Sequence, residues 1–353
     1  MFAKRGKGLF AAGVAAASFS LLLAGCASAP PAADPSGDDG AADCTPLKGK
    51  TVSLIVPFST GGGYDTFARL IAPALGKALG AQVIVENQPG AGGLVAINGI
   101  VRAAPDGTKI AIMNGAGAVA SVLGGAEGAD FDLDDLSYIG RVGAENTILV
   151  SGVDSNYKTW EDVLDSDGFR FGSTGPGASD YVMPSILMEA FDLKNAEIIT
   201  GFPGQAETGL ALLQGNVDGV TGPADTRRPG VVGGENTPLL SITMDPPEDF
   251  ASDAAYIGEM ELTEKQETLV ASHIKVNELG RPLVAPPGME ASTLECLREA
   301  YDTAAHDEGV LEQAAAQHRP IAYVSGEDVE NKIIEDIKNL PEEYLTALKA
   351  AFK

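Results

Sequence analysis

Two stretches of this chain carry the residue types that hold an anion with few cations. One runs Ser59-Thr60-Gly61-Gly62-Gly63-Tyr64-Asp65, the other Ser173-Thr174-Gly175-Pro176-Gly177-Ala178-Ser179-Asp180. Hydroxyls and glycine amides between a strand and a helix lie where the helix leaves its first N–H groups unpaired and its dipole positive. Each such terminus is worth roughly 0.3–1 kcal/mol toward a nearby negative charge. Charge-assisted hydrogen bonds in a closed cleft add about 1.5–3 kcal/mol each. Either loop alone reads more readily as a tight turn. Their occurrence as a pair, in a chain with the organisation set out below, points to an anion enclosed from two sides.

Other chemistries fit less well. Gly63 is followed by Tyr64 and Asp65, so the Gly-Lys-Ser/Thr ending of a nucleotide phosphate loop is missing. The glycine spacings do not match a dinucleotide fingerprint, and no Gly-x-Ser-x-Gly nucleophile elbow occurs. Neither a C-x-x-C nor a Cys/His cluster with zinc spacing is present, so no metal or other cofactor is expected. His273, His306 and His318 lie outside the glycine loops, and His306 and His318 read as solvated surface residues. Asp65 and Asp180 could form a carboxylate pair of the kind glycosidases use, which makes a secreted hydrolase the alternative. Helix capping is the more ordinary role for both.

These loops need strands and helices to hold them. The β-branched run Thr51 to Phe58 precedes the first loop, and Phe67, Leu70, Ile71, Ala74 and Leu75 behind it share one helical face. Pro73 interrupts that pattern and predicts a kink. "QVIVEN" and "TKIAIMN" are further strands, separated by "QPGAGGL" and a helix with Leu94, Ile97, Ile100 and Val101 on its apolar side. Past "YIGRVGAENTILVSG" the alternation resumes with "KTWEDVL", "FRFG", a helix from Tyr181 to Phe191, "AEIIT", the helix "PGQAETGLALLQ" and "VDGVTG". Strands alternating with helices through short glycine loops predict α/β architecture with mostly parallel sheets flanked by helices. Near the end, "ASTLECLREAYDTAAHD" and "SGEDVENKIIEDIKNL" read as two amphipathic helices.

The N-terminus carries Lys4, Arg5 and Lys7 before an apolar run too short and too rich in small residues to span a membrane, which reads as a secretory signal over 1–25. Leu23-Ala24-Gly25-Cys26 resembles a bacterial lipobox, with Cys26 as the lipidation site. Residues 26–47 have little apolar content and read as a flexible tether. The chain has 353 residues, 49 acidic against 24 basic, for a formal charge of −25. Removing three cations and no acid with the signal takes it to −28, which argues against nucleic acid or anionic lipid surfaces as partners. With Cys26 acylated, Cys44 and Cys296 remain as a pair in an oxidising compartment, either bridged or as separate thiols.

The segments "VPFSTGGGYDTFAR", "VIVENQPGAGGLVA", "AAPDGTKIAI", "FGSTGPGAS", "PGQAETGLALLQGNVDGV" and "PLVAPPGM" resemble, in order and spacing, the substrate-binding proteins of tripartite tricarboxylate transporters, the TctC or Bug family. That resemblance implies a two-lobed periplasmic-binding-protein-like fold of the Venus-flytrap type, with lobe 1 over 48–148 and 269–353 and lobe 2 over 149–268. It implies no catalysis, a monomer, and an extracytoplasmic location with a lipid anchor. The implied partners are a small organic acid and the large and small integral membrane subunits that receive it. A lipoprotein presenting its ligand to a membrane kinase would use the same fold.

Carried onto matching positions, the family's ligand contacts fall on Phe58, Ser59, Thr60, Gly61, Gly62 and Asp65, on Ser173, Gly175, Gly177 and Ser179, on Pro203, Gly204 and Gln205, and on Asp225. Where many members have Val-Pro-Tyr-Lys-Gly this chain has Thr200-Gly201-Phe202-Pro203-Gly204, without the hydroxyl and the cation. Arg227 and Arg228 could restore positive charge by pairing with a carboxylate, or stand as two surface arginines near a turn.

Overall fold

Only Ala144, Glu145 and Asn146 separate the last strand of one α/β series from the first strand of the next. The computed structural model describes residues 42–353; the expected signal peptide, the expected lipidation site Cys26 and the expected tether up to residue 41 lie outside the described residues. The first series is β1 (Thr51–Val56), α1 (Gly63–Leu79), β2 (Gln82–Asn87), α2 (Leu94–Val101), β3 (Lys109–Ile112), α3 (Gly115–Gly124) and β4 (Ser137–Gly143). The second is β5 (Thr147–Gly152), α4 (Trp160–Leu164), β6 (Arg170–Gly172), α5 (Ser179–Phe191), β7 (Glu197–Ile199), α6 (Gln205–Leu213), β8 (Gly219–Pro223), α7 (Ala224–Val232), β9 (Asn236–Ile242) and β10 (Ala255–Tyr256). Then come α8 (Glu264–Asn277), β11 (Arg281–Ala285), α9 (Ala291–Ala305), α10 (Glu308–Ala316), β12 (Val324–Ser325), α11 (Gly326–Asp328), α12 (Glu335–Lys338) and α13 (Glu342–Ala351).

Two six-stranded sheets result, ordered β12-β4-β11-β3-β1-β2 and β10-β9-β5-β8-β6-β7. Parallel pairing holds where helices cross over, at β2–β1–β3 and β7–β6–β8, and again at β9–β10. The pairs β3–β11, β11–β4, β4–β12, β8–β5 and β5–β9 are antiparallel, so the sheets are mixed where the sequence suggested mostly parallel ones. The parallel pairs β2–β1–β3 and β7–β6–β8 are joined by crossover helices, whereas β4 passes to β5 of the other sheet through a short link and β11 returns the chain to the first sheet through α8.

Helix α1 buries Phe67, Leu70, Ile71 and Leu75, as its periodicity predicts, and continues through Pro73, which sits on its exposed side. A hydrophobic core extends from Ile55, Ile97 and Val119 in the first series to Phe171, Val182 and Leu240 in the second. Helices α3, α5, α8 and α13 form the apolar seam between the two lobes.

The fold begins before Leu47, where the tether was expected to end. Leu47 is fully buried, the Asp43 amide donates to the Ser292 carbonyl at 3.0 Å, and Cys44 is bridged to Cys296 on α9. The bridge closes a loop of 252 positions. Replacing both cysteines with alanine should lower the unfolding free energy by about 2–4 kcal/mol, read as a lower urea midpoint. An unchanged midpoint would show that the bridge adds nothing to the fold.

Candidate functional site

The first glycine loop is built from β2 as much as from β1. Parallel register sets Asn87 opposite Val56, so the Asn87 side chain lies under the loop that leaves β1. Its amide donates to the Phe58 carbonyl and to Asp65 Oδ1, both at 3.0 Å, and its oxygen accepts from Thr60 Oγ1 and Arg69 at 3.1 Å each. Asp65 Oδ2 accepts from the Gly61 amide at 2.8 Å and from Arg69 Nε at 3.0 Å. Gly61 turns the chain at φ +88°, a left-handed conformation that costs glycine little. Burial pushes the Asp65 carboxyl up, but the Arg69 guanidinium, the Gly61 amide and Asn87 together hold it below its ordinary value. Phe58 packs on Tyr64 with ring centroids 4.9 Å apart. Gly62 precedes α1 and offers no side-chain cap, leaving the first turn open.

The second loop repeats the device. Asp180, in the first turn of α5, accepts through Oδ1 from Ser173 Oγ, the Thr174 amide and Thr174 Oγ1 at 2.9–3.0 Å, and through Oδ2 from Gln205 Nε2 at 3.4 Å. Ser173 Oγ also receives the Gly175 amide at 3.1 Å. Burial raises the Asp180 carboxyl against the pull of Thr174, Ser173 and Arg227. Arg227 lies behind this loop, its guanidinium donating to the carbonyls of Gln205 and Thr221 and to Thr208 Oγ1, and burial pulls it down to about 10. Arg228 instead sits near Glu248 at 3.8 Å and over the Phe250 ring. Arg227 is thus buried rather than at the surface, and the half-buried Arg228 stands beside Glu248.

The loops meet in a staggered way. Ser59 faces the start of α6: its amide donates to the Pro203 carbonyl at 3.3 Å and its hydroxyl to Glu207 Oε2 at 3.0 Å. The Ser173–Ala178 loop faces the turn before α2 and the start of α3. A Cβ at Gly92 (φ +65°), Gly117 or Gly177 would strike backbone of the opposing lobe, and one at Gly204 would strike Ser59 Oγ. The two halves are therefore closed on one another, and the roomier hollows lie elsewhere: one of about 340 Å³ beside Gly152–Tyr157, another of about 620 Å³ between α5 and α13. At the lobe boundary a cavity of about 60 Å³ remains, lined in part by Phe67, Asn146, Asp225 and Arg281.

Four helix N-termini meet along this boundary, those of α1, α5, α6 and α7, opening on Gly62, Ala178, Gly204 and Pro223 without side-chain caps. Caps are missing at α9 and α13 too. Each of the four carries its own acid in the first turn, Asp65, Asp180, Glu207 and Asp225, as α13 also does; what distinguishes them is their place on the boundary, where the start of α1 approaches those of α6 and α7 and the start of α5 faces the turn before α2. Ser179 is the buried first residue of α5.

Asp225 is held by two arginines from beyond β10, Arg281 at 3.0 Å and Arg319 at 3.2 Å. Arg281 is 1% exposed, donates to the Ala144 carbonyl at 3.1 Å, and lies over the rings of Tyr64 and Phe67. Its Nε is 3.7 Å from Glu145, which accepts the Tyr64 hydroxyl. Burial raises the Glu145 carboxyl, with Arg281 opposing. Asn87, Glu145, Glu207, Arg281 and Arg319 were not singled out from the sequence. For Asn87 the signal was present, as the polar end of a strand parallel to β1.

The catalytic alternatives find no support in this geometry. The oxygens of Asp65 are filled by donors from Gly61, Arg69 and Asn87, and those of Asp180 by donors from Ser173, Thr174 and Gln205. His306 and His318 are exposed, and His273 is buried with Nδ1 2.8 Å from the Tyr344 hydroxyl, burial pulling it down to about 4. Among the described residues no cluster of metal-ligating side chains occurs.

Residues 67–339 match the family described as the tripartite tricarboxylate transporter family receptor. The chain belongs to this family. A UPF0065 protein of Agrobacterium vitis is 27% identical over 271 residues, covering 75% of this chain and 74% of its own length. BugT of Bordetella pertussis is 32% identical over 177 residues, covering 48% of this chain and about half (53%) of its own. The periplasmic binding protein BugD superposes with a TM-score of 0.71 at 20% identity, over 86% of this chain and 97% of that one. MatC of Rhodopseudomonas palustris, solved with bound malate, gives 0.69 at 20% identity over 86% and 99%. Family and fold together make the chain a two-lobed solute-binding protein, a class that binds its substrates without transforming them.

Because Asp65 is held below the usual carboxylate range, its contribution to stability is complete above about pH 4 and is lost as pH falls through the lower folded value. Asp65→Asn should therefore cost about 1–3 kcal/mol near neutral pH, with the gap to the parent narrowing below pH 4. Urea denaturation across that range checks it; a gap independent of pH would mean that the charge plays no part.

Proposed function

We propose that this protein captures a small organic carboxylate between its lobes and delivers it to the large and small membrane subunits of a tripartite tricarboxylate-type transporter, held at the membrane by a lipid on Cys26. The observation that carries this reading is the meeting of four uncapped helix N-termini from both lobes at one boundary. Dipoles and free amides of that kind favour an anion locally, and the chain's large negative charge is screened beyond about 8 Å at physiological salt. Malate in MatC and adipate in a second R. palustris neighbour of TM-score 0.68 belong to the same chemical class.

The ligand enters an opened form, in which the contacts of Ser59 with Pro203 and Glu207 are parted while the hinge around Ala144–Asn146 and the seam of α3, α5, α8 and α13 stay packed. The Ser59 amide and hydroxyl, freed from Pro203 and Glu207, and the main-chain amides of Gly62, Gly177, Ser179, Gly204 and Gln205 then grip it. Asp65 and Asp225 act as braces, holding the loops through Asn87, Arg69, Arg281 and Arg319. Closure over the ligand shifts the balance between open and closed forms by the difference in affinity, and the membrane subunits read the closed form.

A thermal-shift screen of the purified full-length chain against carboxylic acids tests the proposal. A bound acid at a hundred times its dissociation constant stabilises by about 2.7 kcal/mol. Ser59→Ala should weaken that acid about tenfold, as expected for one lost charge-assisted hydrogen bond. A screen with no stabilising acid would overturn the reading. Closure has its own test: Gly92→Val, which sets a side chain against the Ala178 backbone, should increase the radius of gyration in solution scattering. An unchanged radius would show that the lobes do not close along this line.

A further inference from the structure

We propose that Glu207 sets the specificity of the cleft by receiving an ammonium group, so that the ligand is a small carboxylic acid bearing a primary amine and not a di- or tricarboxylate. This rests on the lobe boundary being the ligand site. The argument is one of charge at that boundary. Asp65 is paired with Arg69 at 2.9 Å, Asp225 with Arg281 and Arg319, and Glu145 with Arg281. Asp180 has its hydroxyl and amide donors, with Arg227 close enough to favour its ionised form. Glu207 differs from all of these. Among the described residues it forms no ion pair, and its side-chain partner is the neutral hydroxyl of Ser59 across the boundary.

The half-buried Glu207 carboxylate lies close to Gly204, over the gap that Ser59 closes. When the lobes part, Ser59 Oγ and Glu207 are released together and border the same space. A primary ammonium brought there donates to both and gives Glu207 a cation. A second carboxylate brought there meets a like charge as the cleft closes and water leaves, which disfavours polycarboxylates by a built-in repulsion. The open amides of the helix N-termini remain for the ligand's own carboxylate.

The test uses matched acids differing only in the amine: alanine and propanoate, 4-aminobutanoate and butanoate, leucine and 4-methylpentanoate, with glutarate and citrate as polycarboxylates. Affinities for the full-length chain are measured by calorimetry and compared with those of Glu207→Gln. At least one aminated acid should bind about tenfold or more tightly than its partner, a preference that Glu207→Gln reduces about tenfold, while the unaminated acids hold or gain affinity. If unaminated acids or polycarboxylates bind as tightly as the aminated ones, the role of Glu207 is overturned and the cleft remains a carboxylate site. An amine preference that Glu207→Gln leaves intact likewise overturns that role. If no acid of either kind binds, both readings fall.

Discussion

The arrangement of the lobes depends on one guanidinium. Arg281 opens β11, the strand that returns the chain to the first sheet, and from there it reaches the hinge carbonyl of Ala144, the carboxylates of Glu145 and Asp225, and the rings of Tyr64 and Phe67. Burying a cation this completely is favourable only when opposite charges and acceptors surround it. Burial alone would pull its proton affinity down, and Asp225 and Glu145 reverse that. The result is a fixed point shared by the first helix, the hinge and the start of α7, about which the rest of the boundary can be organised.

Around that point the protein handles charge locally. A chain of net −25 would appear a poor trap for an acid, yet its acids at the boundary are mostly committed. Asp65 and Asp180 serve as internal acceptors that shape the two glycine loops, consuming hydroxyls and amides which the sequence alone would assign to a ligand. Loop amides and helix dipoles, being part of the backbone, remain whatever the side chains do.

How much of this was readable in advance varies with the range of the interaction. Strands such as Thr51–Val56 and the apolar face of α1 are local patterns, and both are found as expected. Helix α3 was missed because Gly115-Ala116-Gly117-Ala118 reads as loop; Asn114, whose side chain caps it at the Gly117 amide, was the available signal. Strand direction has no periodicity of its own, so the antiparallel β4, β5 and β11 could not be told from parallel ones. Arg281 and Arg319 stand 56 and 94 positions from Asp225, and no spacing rule links them. The glycine loops were recognisable as a pair, but their staggered meeting, each opposite a different turn, comes from the packing of α3 against α5. The cysteines left two options open, and the bridge from Cys44 to Cys296 settles between them.

That bridge also decides how the molecule bears load. Tension applied through the N-terminal segment reaches Cys44 before it reaches β1 and is handed across to α9, a helix packed on α1 and β4. Strand β1, which lies between β3 and β2, is spared from being drawn out of the first sheet. The half that carries β5 to β10 lies outside that line of load.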